Sequence, residues 1–231
     1  ESETLIFFLI KFKQLLINLT RMENMKMVPT IGYERLRMGS DGAGITTLFC
    51  FWGCPLKCKY CLNPQSWKIK KGVKEVSPEQ LYQWVSVDRL YFLATGGGVT
   101  LGGGEPLLYP DFIAKFCSLV NGEWNINIET SLNVPQENLK KLIDFVSHYY
   151  IDIKEMNDII YERYTGKSNS QVLSNLKWLV SVVGVDKITV RVPLIPEFNS
   201  EEDVAKSIEV LKTEFGIKNI DQFNYQIVNK I

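Results

Sequence analysis

The chain has 231 residues, 45% of them hydrophobic, which suits one domain with a sizeable core, or one domain with a short appendage. Its 26 Lys and Arg balance 26 Asp and Glu, so no global field draws it to nucleic acid or an anionic membrane, and any polyanion binding would have to be local. Five cysteines, an odd number with three crowded into one loop, exclude a disulfide framework and indicate a reducing cytoplasm.

Residues 1–26 differ from the rest. The run from Leu5 to Leu19 is rich in Leu, Ile and Phe but interrupted by Lys11, Lys13, Gln14 and Asn18, too short and too charged to span a bilayer. An acidic start without a small-residue cleavage site fits a secretory signal poorly. We expect an N-terminal extension, folded as an amphipathic helix without a catalytic role, with attachment to a membrane surface as the lesser alternative. Residues 27–231 then form the domain.

The glycine-rich turn from Gly39 to Gly44 leads into Ile45–Phe51, a β-branched and aromatic run that predicts a buried strand. Ser77, Pro78 and Gln80 supply an N-cap, an N1 proline and a capping-box partner for a helix reaching about Leu90. A strand over Gly98–Leu101 is followed by a helix from Pro110 to Asn121, and a third strand spans Asn125–Glu129. Pro135–Ser147 has the Leu139, Leu142, Ile143, Val146 spacing of a helix, and Tyr149–Ile153 reads as a strand. Asn169–Val183 is a helix closed by Gly184, Lys187–Leu194 a strand, Ser200–Phe215 a helix closed by Gly216, and Ile220–Tyr225 a last strand. Six strands separated by helical segments predict an α/β fold of parallel units.

Directly after the first of these strands comes Cys54-Pro55-Leu56-Lys57-Cys58-Lys59-Tyr60-Cys61. Three thiols spaced by three residues and then two can face one centre from a short loop, as a cubane iron–sulfur cluster demands, and three ligands leave one iron open for a cofactor or substrate. Structural zinc is the plain alternative, but it takes four ligands in closed sites. Here no second Cys pair exists, Cys117 is alone and the one histidine is His148. Two apparent phosphate motifs are discounted: Gly96–Gly104 does not follow G-x-G-x-x-G, and the position five before Gly166-Lys167-Ser168 is Tyr161.

Functional residues of parallel β/α folds gather at the carboxyl ends of strands. The cluster loop, Gly102–Pro106, Glu129-Thr130-Ser131, Asp152 with Lys154, and Arg191 on the fifth strand all fall there, so they should share one mouth. Glu129 and Asp152 could hold a cation, or each could pair with Lys154 or Arg191; spacing alone favours the pairing.

The cysteine spacing, with the aromatic Tyr60 just before the last thiol, resembles the signature of the radical S-adenosylmethionine (SAM) superfamily. The flanks Asp41-Gly42-Ala43-Gly44-Ile45, Phe51-Trp52-Gly53-Cys54 and Cys61-Leu62-Asn63-Pro64 resemble the activating enzymes of glycyl radical enzymes, the pyruvate formate-lyase activase-like group, over about residues 30 to 215. The resemblance implies a partial (β/α)6 barrel of parallel strands, with a 4Fe-4S cluster on Cys54, Cys58 and Cys61 and SAM as cofactor. Tyr60, Gly103, Gly104, Glu105, Glu129, Thr130, Asp152, Lys154 and Arg191 would border SAM, with Glu105 near its amino group and a monovalent cation beside its carboxylate. It further implies reductive cleavage of SAM to methionine and a 5′-deoxyadenosyl radical, a glycyl radical enzyme as protein partner, and a flavodoxin or ferredoxin-type electron donor.

The chain departs from the activase pattern in several places. Gly102 replaces a serine, Glu129 an aspartate, Leu62 a histidine, Ala43 and Thr46 the Pro and Arg of the usual glycine-rich run, and the usual Leu-Pro-Tyr-His ending is absent. Two alternatives stay open: a radical SAM enzyme acting on a small molecule, in the manner of 7-carboxy-7-deazaguanine synthase, or on a ribosomal peptide; and a metal-binding interaction module that is no enzyme.

Overall fold

The structure, a computed structural model, describes residues 27–68 and 73–225, so the expectations for residues 1–26 lie outside it. In chain order the elements are β1 (Val28–Met38), β2 (Ile45–Phe51), α1 (Gln65–Lys68), β3 (Lys74–Val76), α2 (Pro78–Ser86), α3 (Arg89–Thr95), β4 (Gly98–Gly103) and α4 (Pro110–Val120). There follow β5 (Asn125–Thr130), α5 (Gln136–Lys140), β6 (His148–Asp152), α6 (Asp158–Thr165), α7 (Ser170–Val183), β7 (Ile188–Leu194), α8 (Glu201–Thr213) and β8 (Asn219–Asn224).

All six expected strands are present within two residues at each end, as β2 and β4 to β8. They pair in parallel and in sequence order. The sheet order is β3-β1-β2-β4-β5-β6-β7-β8; its two outermost strands do not meet, so the barrel is partial. Burial of five of the six β4 positions shows the central strand covered on both faces, as parallel sheets require. Outside the sheet, α4 contributes Phe112 to an aromatic cluster with Phe49 and Phe51 and buries Ile113 and Phe116 beside it in sequence, and α7 buries Val172, Leu176 and Leu179.

Three local expectations need correction. The antiparallel strands β1 and β3 were not anticipated. β1 carries Pro29, and two register shifts interrupt its pairing with β2, between Thr30 and Gly32 and between Glu34 and Arg37, so its two-residue periodicity is lost. The helix expected from Ser77 to Leu90 begins with the anticipated capping box but divides after Ser86. Asp88 is drawn wholly into the interior by Arg35, at 2.6 and 2.8 Å, and by the Thr47 hydroxyl at 3.1 Å, a long-range pull that ends one helix and starts α3. Pro135–Ser147 is helical only as α5. Tight turns through Phe145 then bring the Ser147 amide onto the Ile126 carbonyl at 2.7 Å to begin β6, although Leu139, Leu142 and Val146 are buried as their spacing predicts.

The Gly39–Gly44 turn closes one end of the barrel interior. Thr100 on β4 donates its hydroxyl to the Asp41 carbonyl at 2.5 Å, and Arg191 on β7 donates to the Ser40 carbonyl at 3.2 Å. The carboxyl ends of the strands form the opposite, open end.

Candidate functional site

The loop carrying Cys54, Cys58 and Cys61 is shaped by main-chain bonds. The Gly53 amide donates to the Ser66 carbonyl at 2.6 Å, and the Glu105 amide donates to the Gly53 carbonyl at 2.7 Å. The Lys57 and Lys59 amides donate to the carbonyls of Thr165 and Tyr164, at 2.9 and 3.1 Å, so the last turn of α6 carries the loop. The Asn63 amide group donates to the Gly103 carbonyl at 3.2 Å, and the Tyr225 hydroxyl to the Tyr60 carbonyl.

One cavity of about 570 Å³ gathers most of the expected residues: the three thiols, Gly103, Gly104, Glu129, Thr130, Asp152, Lys154 and Arg191. That volume is usual for a small-molecule site. Two expected residues stand outside its lining. Tyr60 lies on the outer side of the loop, its hydroxyl donating to Glu197 at 2.7 Å and its ring beside Phe198. Glu105, 1% exposed, is turned into the protein: its carboxylate accepts from the Leu107 amide (3.2 Å), the Thr130 hydroxyl (2.8 Å), and the amide (2.9 Å) and hydroxyl (2.7 Å) of Ser131. It ties the glycine turn after β4 to the end of β5.

The four charged residues expected at strands β5 to β7 are paired within the cavity. Arg191 reaches Glu129 at 2.8 Å and rests on the Tyr150 ring, and Lys154 reaches Asp152 at 3.1 Å. The two carboxylates named as candidates for cation binding therefore each face an internal cation. Burial tends to strip Lys154 of its proton, but Asp152 and the Cys58 sulfur outweigh it and hold the ammonium above its ordinary range. Burial pushes the Cys58 thiol up to about 11 and Cys54 to about 12, with Lys154 easing Cys58 back and Glu105 adding to the rise at Cys54. Cys50, on β2 in the same cavity, is likewise pushed to about 12 by burial and by the Glu129 carboxylate; what sets it apart is its place on the strand, outside the loop that carries the other three thiols.

The description "Radical SAM superfamily" is that of the family model matching residues 50–211. The chain belongs to the radical SAM superfamily. Pyruvate formate-lyase-activating enzyme from Clostridium pasteurianum is 31% identical over 189 residues, covering 80% of this chain and 77% of that protein. The enzyme of the same name from Listeria monocytogenes is 31% identical over 196 residues, with the same coverages. Streptococcus suis SuiB bound to S-adenosylmethionine superposes with a TM-score of 0.59 at 15% identity, over 76% of this chain and 39% of SuiB. The chain thus spans about two fifths of that protein, and the likeness concerns the fold.

A radical SAM protein carries a 4Fe-4S cluster and uses SAM, and the donor set here fits both. Four free thiols line one cavity, and three of them, Cys54, Cys58 and Cys61, share one loop. Among the described residues no three His, Cys, Asp or Glu side chains converge on a single ion, as zinc would ask, whereas cubane ligands each take a different iron. Gly104 lets the turn after β4 pack directly on the backbone leading into the thiol loop: a Cβ there would stand 2.2 Å from the Gly53 carbonyl oxygen and 2.9 Å from that of Phe51.

Four further lining side chains were not singled out by motif or spacing. Glu34 and Arg37 come from the unanticipated β1, Tyr164 from the unanticipated α6, and Tyr225 from just beyond β8. Placement at a strand's carboxyl end was the one available signal for Tyr225.

Two departures from the activase pattern explain each other. A Cβ on Gly102 would lie 2.8 Å from Glu129 Oε2 and 3.3 Å from the Glu129 Cβ. The longer acid fills the space a serine side chain would take. Gly102→Ser alone is expected to push Glu129 off Arg191 at a cost of about 1–3 kcal/mol, and adding Glu129→Asp should recover part of it. Urea unfolding of both single variants and the double checks this; strictly additive effects would show that the two positions are independent.

Proposed function

We propose that this protein activates a glycyl radical enzyme. The observation that carries the reading is the 31% identity to proteins named as activating enzymes, sustained over 80% of the chain. The bound cofactors would supply one-electron reductive cleavage of SAM to methionine and a 5′-deoxyadenosyl radical, whose hydrogen donor is a glycine α-carbon in a loop of the partner. The chain's own part is to seat and shield. Cys54, Cys58 and Cys61 hold the cluster, the backbone at Gly103 and Gly104 approaches the methionine ammonium, and Lys154 and Arg191 offer positive charge to the carboxylate. Thr130 closes the side of the pocket, and Glu105 keeps it in register from behind. Leu62, 60% exposed beside the last thiol, leaves an apolar rim for a polypeptide to meet. A flavodoxin or ferredoxin-type protein of a reducing cytoplasm would deliver the electron. Among the described residues no helix is long and apolar enough to cross a membrane.

The test is electron paramagnetic resonance of the loaded, reduced protein with SAM and a candidate glycyl radical enzyme, repeated with that enzyme's target glycine deuterated at the α-carbon. A glycyl doublet with deuterium recovered in 5′-deoxyadenosine is expected. Deuterium arriving instead only from a labelled small molecule or a modified peptide would move the protein to another branch of the superfamily.

A further inference from the structure

The three thiols of the cluster loop are not fastened alike. Cys54 follows Gly53, whose amide and carbonyl are both bonded, to the Ser66 carbonyl and the Glu105 amide. Cys58 is bracketed by the Lys57 and Lys59 amides, each donating to a carbonyl of α6. Cys61 has less behind it. Its amide closes a short turn onto the Cys58 carbonyl at 3.3 Å, a bond within the loop itself, and the next fastening downstream is the Asn63 side chain on the Gly103 carbonyl, at 3.2 Å.

Tyr225 supplies what the turn lacks. From 165 positions away its hydroxyl donates to the Tyr60 carbonyl, the oxygen of the same peptide unit that contains the Cys61 nitrogen. A peptide unit is planar, so gripping its oxygen from Tyr225 and its N–H from Cys58 fixes the plane and with it the Cys61 Cα. The Tyr60 side chain takes no part in this grip, because its hydroxyl is directed outward to Glu197. Tyr225 is firmly seated. Its amide donates to the Leu194 carbonyl at the end of β7 at 2.9 Å, the residue is half-buried, and it lines the cavity together with Phe223. It follows β8, the last strand of the sheet, so one side chain joins the edge of the partial barrel to the third thiol.

We infer that Tyr225 is the positioning residue for Cys61, holding that corner of the cluster seat through the Tyr60 carbonyl. The hydroxyl acts through the loop backbone and not on the metal. The inference concerns the seat of the cluster and not the hydrogen donor, so it can fail while the activating function stands.

The experiment follows iron release to a chelator from anaerobically reconstituted full-length protein, with the electron paramagnetic resonance spectrum of the reduced cluster recorded beside it. Release requires the loop to open locally, and a lost anchor makes that opening easier. Tyr225→Phe, which removes only the hydroxyl, is expected to release iron about fivefold faster, the effect of one ordinary hydrogen bond, and to broaden the spectrum as the Cys61 corner takes more than one position. Placing 4-aminophenylalanine at position 225 restores a donor at the ring tip, so release should slow again toward the wild-type rate; a ring that merely fills space would not distinguish the two substitutions. Should the phenylalanine protein fail to load, recovery of iron in the 4-aminophenylalanine protein supports the grip, and failure of both to load overturns it. Wild-type release and line shape from Tyr225→Phe, or equal rates from the phenylalanine and 4-aminophenylalanine proteins, overturn the inference. Faster release from Tyr60→Phe, which keeps the carbonyl, with none from Tyr225→Phe overturns it as well, since the turn would then be held by the Tyr60 side chain.

Discussion

Replacing any one of Cys54, Cys58 or Cys61 by alanine is expected to abolish the cluster, while the wild-type chain reconstitutes with about four iron and four sulfide. Each thiolate binds a different iron, so losing one leaves two ligands and two open irons, which a half-buried cavity cannot hold against solvent and chelators. Cys50→Ala and Cys117→Ala should load as wild type. Cys117 is buried in α4, away from the cavity, and Cys50 is fixed within strand β2 rather than on the loop that carries the three ligands. Iron and sulfide analysis of the five variants decides the matter. A requirement for Cys50 would supply a fourth thiolate, close the open iron, and remove the basis for SAM binding at the metal.

The second large effect is expected at Glu105. Alanine there leaves two backbone amides and two hydroxyls in a buried space without their acceptor, a loss of about 3–5 kcal/mol. SAM affinity of the loaded protein should fall at least about tenfold as the glycine turn and the end of β5 lose their common anchor, which corresponds to roughly 1.4 kcal/mol. Glutamine is the informative comparison. Every partner of the carboxylate donates to it, and each oxygen faces one backbone amide, Leu107 on one side and Ser131 on the other. A glutamine NH2 must therefore oppose an N–H in either orientation, so Glu105→Gln should also destabilise, by about 1–3 kcal/mol. Urea unfolding of the apo protein together with equilibrium dialysis of SAM separates this from direct contact. If Glu105 met the SAM ammonium itself, glutamine would weaken binding while leaving apo stability unchanged.

The part of the fold legible in the sequence was the part made by local pattern. β2 and β7 have apolar, β-branched or aromatic runs, and Gly184 and Gly216 close the helices on either side of β7, so parallel units followed. The placement of candidates at strand ends then put the thiols, Gly103, Gly104, Glu129, Asp152 and Lys154 around one cavity before any geometry was known. What pattern could not show was set at long range. Asp88 divides a helix because Arg35, 53 positions away, claims its carboxylate. β1 hides behind two bulges. The side to which Glu105 turns depends on Thr130 and Ser131, 25 and 26 positions on. Tyr164 enters the cavity only because a short helix, invisible in the periodicity, ends beneath the cluster loop.

The way that loop is fastened bears on how such a protein can diverge. Lys57 and Lys59 are held through their amides by carbonyls of α6, while their side chains are exposed. Main-chain attachment makes the positions of the thiols indifferent to the identity of the intervening side chains. Charge at this surface can therefore drift across generations, suiting one electron carrier or another, while the seat of the metal stays where it was.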